Sequence, residues 1–308
     1  MSFELIILGS SSALPTSKRS TTAHLLNMNE RFFLIDCGEG TQIQLRKNKI
    51  SPARINHIFI SHLHGDHVFG LFGLMSSLGL MGRKAVLNLY GPAALRDMVE
   101  HHLEFFGPLP YALDFHTCKA GTPIYEDSRN EVIPIRLKHR TETYGYLFRE
   151  KARMLNIDKK AIDRYNLGLE DIKHVKQGKD HQTDSGEIIS NSDLTLPPYK
   201  QRSYAFLSDT GYDPGIPELI REVDLLYHEA TFLEADSDLA RQTLHSTASQ
   251  AAMVAKEARA GKLLIGHFST RYKSENDFIS EAGQIFENVT AVNDGDRFKL
   301  DLTRVSKV

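Results

Sequence analysis

The stretch Ser61-His62-Leu63-His64-Gly65-Asp66-His67 directly follows the apolar run Ile58-Phe59-Ile60 and decides how the rest of the sequence is interpreted. It brings three imidazoles and a carboxylate together within six residues, and these groups bind zinc and its neighbours manganese and iron. Four donors exceed the three that a protein usually gives to one catalytic zinc. The stretch therefore predicts a site for two metal ions, held where a strand ends and a helix begins.

Other candidate donors also come directly after predicted strands. The apolar runs 131–137, 204–208 and 262–265 are followed by His139, Asp209 and His267. Polar side chains at strand ends lie at one edge of a sheet, on a scaffold stiff enough to hold ligands in place. The sequence therefore predicts one site built from seven donors, which are His62, His64, Asp66, His67, His139, Asp209 and His267.

Asp36 and the cysteines are less informative. Asp36 follows the predicted strand Arg31–Ile35, and it is either a functional carboxylate at a sheet edge or a turn or cap residue before a glycine. Cys37 and Cys118 show neither a pairing pattern nor the spacing of metal ligands. We expect both cysteines to be buried, reduced thiols.

Length and composition indicate one full-sized globular domain, with 308 residues of which 41% are hydrophobic. No stretch approaches the roughly 18 to 20 apolar residues of a membrane span, and Met1-Ser2-Phe3-Glu4 runs into a strand rather than a signal sequence. We therefore expect a cytoplasmic protein. The net charge of −2 argues against a generally basic surface for nucleic acid, but it leaves room for a local basic patch.

The character of the chain changes between Arg149 and about Lys200, where long apolar runs give way to charged residues and short helical pieces. This pattern predicts an inserted arm rather than a core element. Residues 149–181 contain nine Lys or Arg and six Asp or Glu, a net charge of +3, which leaves −5 for the rest of the chain. Such an arm suits the binding of a polyanion, although a solvated charged insertion would look similar.

The whole pattern resembles the metallo-β-lactamase superfamily, of which H-x-H-x-D-H is the signature, and within it the short form of tRNase Z, the transfer-RNA 3′-processing endonuclease. The resemblance covers nearly the whole chain. Its more specific pieces are Gly9-Ser10-Ser11-Ser12 with Leu14-Pro15-Thr16, His228-Glu229-Ala230-Thr231, His245-Ser246-Thr247 and His267-Phe268-Ser269-Thr270-Arg271-Tyr272.

The resemblance implies a four-layer αβ/βα sandwich, a single metallo-β-lactamase-fold domain over residues 1–308 with a flexible substrate-binding arm inserted at about 150–199. It also implies two Zn²⁺ per subunit, with Mn²⁺ or another divalent metal as a substitute, and a homodimer that acts on precursor tRNA. One zinc would be held by His62, His64 and His139, the other by Asp66, His67 and His267, and Asp209 would bridge them.

The implied reaction is removal of the 3′ trailer after the discriminator base, which leaves a 3′ hydroxyl. A metal-bridged hydroxide would attack the phosphate, with Asp66 as the proton acceptor. We expect His245 to protonate the leaving oxygen and Glu229 to hold its ring in the donating tautomer, unless the two residues only tie loops together. Arg271, Lys18 and Arg19 are candidate phosphate contacts.

Two features depart from the family pattern. Ser208 stands before Asp209 where a glycine is usual, and residues 165–170 of the arm contain no Gly-Pro element. The small change at Ser208 is not expected to disturb the ligand, whereas the way in which the arm binds tRNA is left open. Alternatives to the tRNA-processing enzyme are a small-ester hydrolase of the same fold, such as an arylsulfatase or a cyclic-nucleotide phosphodiesterase, and a non-catalytic RNA-binding subunit.

Overall fold

The fold is built from two large mixed sheets, and the computed structural model describes residues 2–305 of the chain. The strands in this range are β1 Phe3–Gly9, β2 Ala23–Met28, β3 Arg31–Ile35, β4 Ile55–Phe59, β5 Leu87–Gly91, β6 Leu113–Thr117, β7 Tyr125–Glu126, β8 Asn130–Arg136, β9 Tyr144–Glu150, β10 Asn156–Ile157, β11 His181–Gln182, β12 Ile188–Ile189, β13 Thr195–Leu196, β14 Ser203–Leu207, β15 Leu225–Glu229, β16 Lys262–Gly266, β17 Val289–Ala291 and β18 Arg297–Lys299.

The α-helices in the same range are α1 Thr41–Lys47, α2 Gly65–Leu80, α3 Ala94–Phe106, α4 Lys159–Tyr165, α5 Leu169–Lys176, α6 Asn191–Leu194, α7 Ile216–Leu219, α8 Ser237–Thr243, α9 Ala248–Glu257 and α10 Asn276–Gly283. Short 3₁₀ helices cover Pro52–Arg54 and Glu234–Asp236. In the part of the chain described by the structure, no helix combines the length and apolar character needed to cross a bilayer.

The two sheets pack face to face, and helices cover their outer faces. The strand order is β18-β1-β2-β3-β4-β5-β6 in the first sheet and β17-β16-β15-β14-β9-β8-β7 in the second. The alternation of side chains along β1 shows the layers, because Leu5 and Ile7 belong to the apolar cluster between the sheets. Ile6 and Leu8 face the other way, into the cluster shared with helices α1 to α3. The layer order is therefore helix, sheet, sheet, helix.

Parallel strands place the candidate ligands at one edge of each sheet. In the first sheet β3, β4, β5 and β6 run parallel, and in the second sheet β14, β15, β16 and β17 do so. The carboxyl ends of parallel strands lie on the same edge, so the residues that follow β3, β4, β14 and β16 come together. This geometry explains why donors far apart in the sequence meet.

Helix α2 starts within the histidine stretch and packs closely on the loop that follows β3. A Cβ atom at Gly70 would lie 2.0 Å from the carbonyl oxygen of Gly38, so only glycine fits at this approach. The Cys37 N–H donates to the carbonyl of His67 at 2.8 Å, and the Gly70 N–H donates to the carbonyl of Cys37 at 2.9 Å. These contacts fix the first turn of α2, which carries Asp66 and His67.

Residues 150–202, with 301–305, form a second compact unit. It contains helices α4 to α6, the pairs β10–β13 and β11–β12, and a small core of its own made of Ile157, Ala161, Leu167, Val175, Ile189 and Leu194. Where its two ends meet, the guanidinium of Arg202 donates to the buried carboxylate of Glu150 at 2.8 and 2.9 Å. The sequence predicted an insertion in this region but not the core inside it.

Most predicted elements of the body are confirmed, with small differences at their ends. The helix after Ser246 begins at Ala248, and Thr247 caps it through a hydrogen bond from the Gln250 N–H. His228 and Glu229 lie inside β15 rather than after it. The sequence also gave no indication of β6, whose side chains are only half-buried and carry no continuous apolar run.

Candidate metal centre

Three groups of donor atoms meet at the common edge of the sheets. Within each group the potential ligand atoms all lie within 4.8 Å of one another. The groups are His62, His64, His139 and Asp209, then Asp66, His67 and His267, and finally Asp209, His245 and His267. All seven donors expected from the sequence are therefore together, and His245 lies beside them.

Asp209 lies between the first two groups, and each of its carboxylate oxygens faces a different one. Its Oδ2 is 3.6 Å from His62 Nε2 and 3.8 Å from His139 Nε2. Its Oδ1 is 3.3 Å from His67 Nε2 and 3.2 Å from His267 Nε2. This orientation is the one that a bridging carboxylate requires.

Asp66 completes the second group from the first turn of α2. Its Oδ2 lies 3.5 Å from His67 Nε2 and 3.4 Å from His267 Nε2. The same oxygen accepts a hydrogen bond of 2.8 Å from the backbone N–H of Ala13, in the loop of residues 10–22 between β1 and β2, which we call the opening loop. The opening loop therefore forms one wall of the site and holds the Asp66 carboxylate towards the two imidazoles.

The donor atoms fit a divalent metal. His67 Nε2, His267 Nε2 and Asp209 Oδ1 are buried and have no hydrogen-bond partner of normal geometry, whereas buried polar atoms in proteins nearly always have one. Ligands about 2.0 Å from a tetrahedral zinc lie about 3.3 Å from each other. The separations of 3.2 to 3.8 Å around Asp209 are close to that value.

In three of the donor histidines, His67, His267 and His139, the ring nitrogen that points away from the site contacts another group of the protein. His67 Nδ1 lies 2.7 Å from Asp36 Oδ2, His267 Nδ1 lies 2.9 Å from Thr231 Oγ1, and His139 Nδ1 lies 3.0 Å from the carbonyl of Leu244. Such contacts fix the ring orientation and the tautomer of metal-binding histidines. In each case Nε2 is the nitrogen that faces the site.

The structure decides between the two interpretations of Asp36. The residue is fully buried, and it has a positive φ of 55°, which aspartate tolerates better than most residues. Besides its contact with His67, its carboxylate accepts hydrogen bonds from the N–H and the hydroxyl of Ser61, at 2.7 and 2.8 Å. Asp36 therefore supports the donor groups from behind. Its place at a strand end, like that of the seven donors, was the signal that could have identified it.

The electrostatics of the site favour a bound cation. Burial would raise the pKa of Asp209, but the charges of His267 and His67 hold that pKa well below its usual range. Burial would likewise raise the pKa of Asp66, and His67 outweighs this effect and lowers it. Burial keeps the pKa of His62 well below its ordinary value. The carboxylates are thus ionised at neutral pH and His62 is neutral, the forms that bind metal. Burial would lower the pKa of His67, but the three surrounding carboxylates raise it well above its usual value, so metal binding would displace a proton from His67.

Glu229 and His245 form a buried pair beside the donors. Glu229 Oε1 accepts hydrogen bonds from His245 Nδ1 at 2.8 Å and from the N–H groups of Thr210 and Ser246 at 3.0 and 3.1 Å. Its Oε2 accepts from the N–H and the hydroxyl of Thr231 at 2.9 and 2.8 Å. Glu229 thus ties three loops together and orients His245 as well. A structural role for this pair and a role in positioning His245 for proton transfer are therefore compatible.

The charge of Glu229 also sets the protonation of His245. Burial would lower the pKa of His245, but the nearby carboxylate of Glu229 outweighs it and raises the pKa to about 9. The side chain of His245 is 16% exposed, and the centre of its ring lies 5.1 Å from the centre of the His139 ring. His245 is therefore a cation at neutral pH, and it can reach the open side of the site.

The basic residues expected to contact phosphate differ in how accessible their side chains are. The guanidinium of Arg19 donates to four internal acceptors, including Glu275 at 2.6 Å and the carbonyl of Val292 at 2.7 Å. These bonds use four of the five N–H donors of Arg19 to join the opening loop to the body. A phosphate contact by Arg19 stays a prediction. Arg271 is 46% exposed and stacks over Phe232, which leaves it accessible.

Comparison with known proteins assigns the fold. A family model described as "Anti-Pycsar protein Apyc1" matches residues 3–106, about a third of the chain. The metallo-β-lactamase fold protein YhfI from Bacillus subtilis superposes with a TM-score of 0.72 at 16% identity, over 97% of this chain and 100% of its own. The predicted metallo-β-lactamase αβ/βα fold is confirmed.

Closer relatives identify the family. The short form of human tRNase Z superposes with a TM-score of 0.69 and is 26% identical, over 96% of this chain and 98% of its own. Ribonuclease Z from Bacteroides fragilis (strain YCH46) is 45% identical over 289 residues, which cover 93% of this chain and 95% of the relative. Likeness of this extent, with the donor residues assembled as described, shows that the chain belongs to the ribonuclease Z family.

Proposed function

We propose that this protein is a metal-dependent endoribonuclease that removes the 3′ trailer of precursor tRNA, cutting after the discriminator base to leave a 3′ hydroxyl. The observation that carries the proposal is the 45% identity to a ribonuclease Z over nearly the full length of both chains. The assembled donor groups supply a site suited to phosphodiester hydrolysis. The cytoplasmic location expected from the sequence stays a prediction.

For the metal we propose two Zn²⁺, replaceable by Mn²⁺ or another divalent ion. His62, His64 and His139 would hold one ion, Asp66, His67 and His267 the other, and Asp209 would bridge the pair. The distances from the two Asp209 oxygens to the separate groups support this assignment. Ions held by these residues would lower the pKa of a bound water and neutralise negative charge on the phosphate oxygens.

Asp66 is the proposed acceptor of the proton from the attacking water. Its Oδ2 faces the space shared with His67 and His267, and the hydrogen bond from Ala13 keeps it there. A carboxylate in this position can serve both as a ligand and as a proton acceptor.

His245 is the proposed donor of a proton to the leaving 3′ oxygen, and Glu229 is its positioning residue. The contact between His245 Nδ1 and Glu229 occupies one nitrogen and leaves Nε2 as the donor. Because Glu229 is itself held by four further hydrogen bonds, the ring has little freedom to turn. This arrangement supports a general-acid role on the side of the leaving group.

The inserted residues 150–199 are the proposed substrate-binding arm of an otherwise single domain. The net charge of +3 over residues 149–181 suits the phosphate backbone of tRNA. Lys159 and Lys160 begin helix α4, and both are exposed. The arm needs no Gly-Pro element for this role, since phosphate contacts are made by side chains in many backbone settings.

The proposed function is tested with the zinc-loaded protein and a 3′-extended precursor tRNA. The cut position is read at nucleotide resolution beside an Asp66→Ala variant. A single cut next to the discriminator base that depends on Asp66 is the expected result. Failure to cut precursor tRNA, with hydrolysis of bis-nitrophenyl phosphate intact, would favour a small-ester hydrolase.

We further propose that the protein is a homodimer, joined through the exposed apolar side chains of helices α2 and α3. Phe69 and Leu80 on α2 are 64% and 88% exposed, and Phe105 and Phe106 on α3 are 81% and 76% exposed. A cavity of about 260 Å³ lies between the two helices. Apolar side chains concentrated in this way are typical of protein interfaces.

The dimer proposal is tested by measuring the molar mass of the protein in solution by light scattering. Phe105→Glu should halve the mass of the wild-type particle, because it buries a charge at the interface. Leu219→Glu changes an exposed side chain elsewhere on the body and serves as the control. A wild-type protein that runs as a monomer at high concentration would contradict the proposal.

A further inference from the structure

A buried network of hydroxyl groups joins the two sheets behind the donor groups. Ser61 follows β4 of the first sheet, Ser208 follows β14 of the second, and their hydroxyl oxygens are 3.1 Å apart. Both residues are buried, Ser61 completely. The Tyr144 N–H also donates to the carbonyl of Ser61 at 2.9 Å, which makes a second link across the sheets at this point.

The hydroxyl of Ser61 has three close polar neighbours within 3.1 Å, and His67 Nδ1 lies further away at 3.5 Å. A serine hydroxyl offers one proton and two lone pairs. Since an ionised carboxylate only accepts, the proton goes to Asp36 Oδ2 at 2.8 Å. The hydroxyl also donates towards Ser208 Oγ at 3.1 Å, and a lone pair is left to accept from His62 Nδ1 at 3.0 Å. Because the Ser61 proton is directed to Asp36 and Ser208, His62 Nδ1 must be the donor in its contact with Ser61.

The consequence for His62 is a fixed tautomer. If Nδ1 donates its proton to Ser61, the Nε2 of a neutral ring carries a lone pair, and this nitrogen lies 3.6 Å from Asp209 Oδ2 in the donor group. Asp36 Oδ2 imposes the same arrangement on His67 by accepting from its Nδ1 at 2.7 Å. One carboxylate therefore acts on a histidine of each group, on His67 directly and on His62 through Ser61.

We propose that Ser61 and Ser208 are positioning residues that, with Asp36, lock one histidine of each donor group in the metal-binding tautomer and so organise the two groups as one unit. This inference rests on the metal assignment of the proposed function. Ser208 contributes by accepting from the Ser61 hydroxyl beside Asp36, which keeps the Ser61 proton directed away from His62. Its hydroxyl thus has a task that a glycine at this position would leave undone.

The test measures zinc binding and ring tautomers rather than activity. The metal-free protein is titrated with Zn²⁺ in competition with a chelating dye, and the ring nitrogens of ¹⁵N-labelled histidines are observed by NMR in the metal-free state, where no metal fixes the tautomer. The variants are Ser61→Ala and Ser208→Ala. Ser203→Ala is the matched control, because Ser203, the first residue of β14, is also a buried serine whose hydroxyl donates to a carboxylate, that of Asp224.

We expect Ser61→Ala to weaken one of the two zinc sites by about 10- to 100-fold, the usual effect of removing a partner of a metal-binding histidine. The Nδ1 and Nε2 signals of His62 should then show a mixture of tautomers. Ser208→Ala should weaken the same site by only a few fold, because Ser61 keeps its bonds to His62 and Asp36. Ser203→Ala should match the wild type in both measurements.

Two results would overturn the inference. Wild-type zinc affinities and tautomer signals in Ser61→Ala would remove it, and so would an equal loss of affinity in the Ser203→Ala control, which would indicate a general loss of stability. If the wild-type protein bound no Zn²⁺, the metal assignment would fail as well. If the wild type binds two zinc ions and Ser61→Ala binds them with the same affinity, the proposed function stands and this inference fails.

Discussion

The body of the protein and its inserted unit differ in how they are stabilised. The body, residues 2–149 and 203–300, has three large apolar clusters. These include fully buried aromatic residues such as Tyr146, Phe148 and Phe206. The inserted unit has one core of six aliphatic side chains and strands of only two residues. A small core of this kind supplies little stabilisation beyond its own ordering.

The difference matches a division of tasks. Among the described residues, every possible metal-binding group lies in the body, where long strands hold donor atoms to within tenths of an ångström. The inserted unit carries surface charges, whose attraction to a polyanion tolerates movement. Chemistry should therefore depend on single atoms of the body, whereas substrate choice should depend on the insertion as a whole.

The largest expected effect comes from Asp209→Ala in the body. The variant removes the carboxylate that faces both donor groups, so we expect the rates on precursor tRNA and on bis-nitrophenyl phosphate to fall together by about 10⁴-fold. Metal content, measured by elemental analysis, should fall as well. Asp213→Ala changes a nearby aspartate outside the donor groups and should keep both activities. Retention of either activity in Asp209→Ala would contradict the assignment.

A smaller loss is expected for His245→Ala, and it should depend on the leaving group. Cleavage of precursor tRNA needs a proton on the leaving oxygen, so its kcat should fall by about 10² to 10³-fold. Nitrophenolate leaves without protonation, so hydrolysis of bis-nitrophenyl phosphate should change little. Steady-state kinetics on both substrates check this expectation. Equal losses on both would mean that the Glu229–His245 contact only maintains the fold.

Replacing residues 152–200 by a short Gly-Ser turn tests the insertion directly. The replacement keeps Glu150 and Arg202, whose ion pair closes the base of the insertion. We expect kcat/KM for precursor tRNA to fall by about 10²-fold through KM, because phosphate contacts are lost, while hydrolysis of bis-nitrophenyl phosphate stays within about twofold. Circular dichroism controls for folding. A parallel loss of both activities would make the insertion a folding element.

The charges of the insertion should matter less than the whole unit. Exchanging the exposed Lys159 and Lys160 for glutamate should weaken precursor tRNA binding by about tenfold and reduce the slope of log affinity against log salt by about two. Filter binding at several salt concentrations measures both quantities. Lys84→Glu alters an exposed lysine of the body as the control. An unchanged salt slope in the double variant would argue for a solvated insertion without a role in binding.

The smallest effect concerns the acid stability of the body. Burial lowers the pKa of His24 from 6.5 to about 3. The unfolded chain therefore takes up a proton between these pH values and the folded chain does not. The contribution of neutral, buried His24 to the stability of the folded state is complete above pH 6.5. It is lost by about 1.4 kcal/mol per pH unit as the pH falls from there towards 3. The free energy of unfolding, measured in urea, should fall between pH 7 and pH 5 by about 2 kcal/mol less in His24→Asn than in the wild type. An equal fall in both proteins would refute this role of His24.

The sequence predicted much of the site because its signals are local. The spacing of His62, His64, Asp66 and His67 on one loop indicated metal binding. Asp36 and Arg19 show the limit of that reasoning. The role of each residue depends on hydrogen-bond partners that lie far away in the sequence. These partners are Ser61 and His67 for Asp36, and Glu275 for Arg19.

By itself, the sequence determined the donor types, the strand ends that carry them and the family resemblance, because periodicity and spacing are properties of neighbouring residues. The tertiary structure alone decided which oxygen of Asp209 faces which group and which acceptors the Ser61 hydroxyl has, namely Asp36 and Ser208. Those features join segments 25 and 147 residues apart in the chain. Which group donates and which accepts between such segments is fixed only after the two sheets have packed. A pattern of neighbouring residues in the sequence therefore cannot predict it.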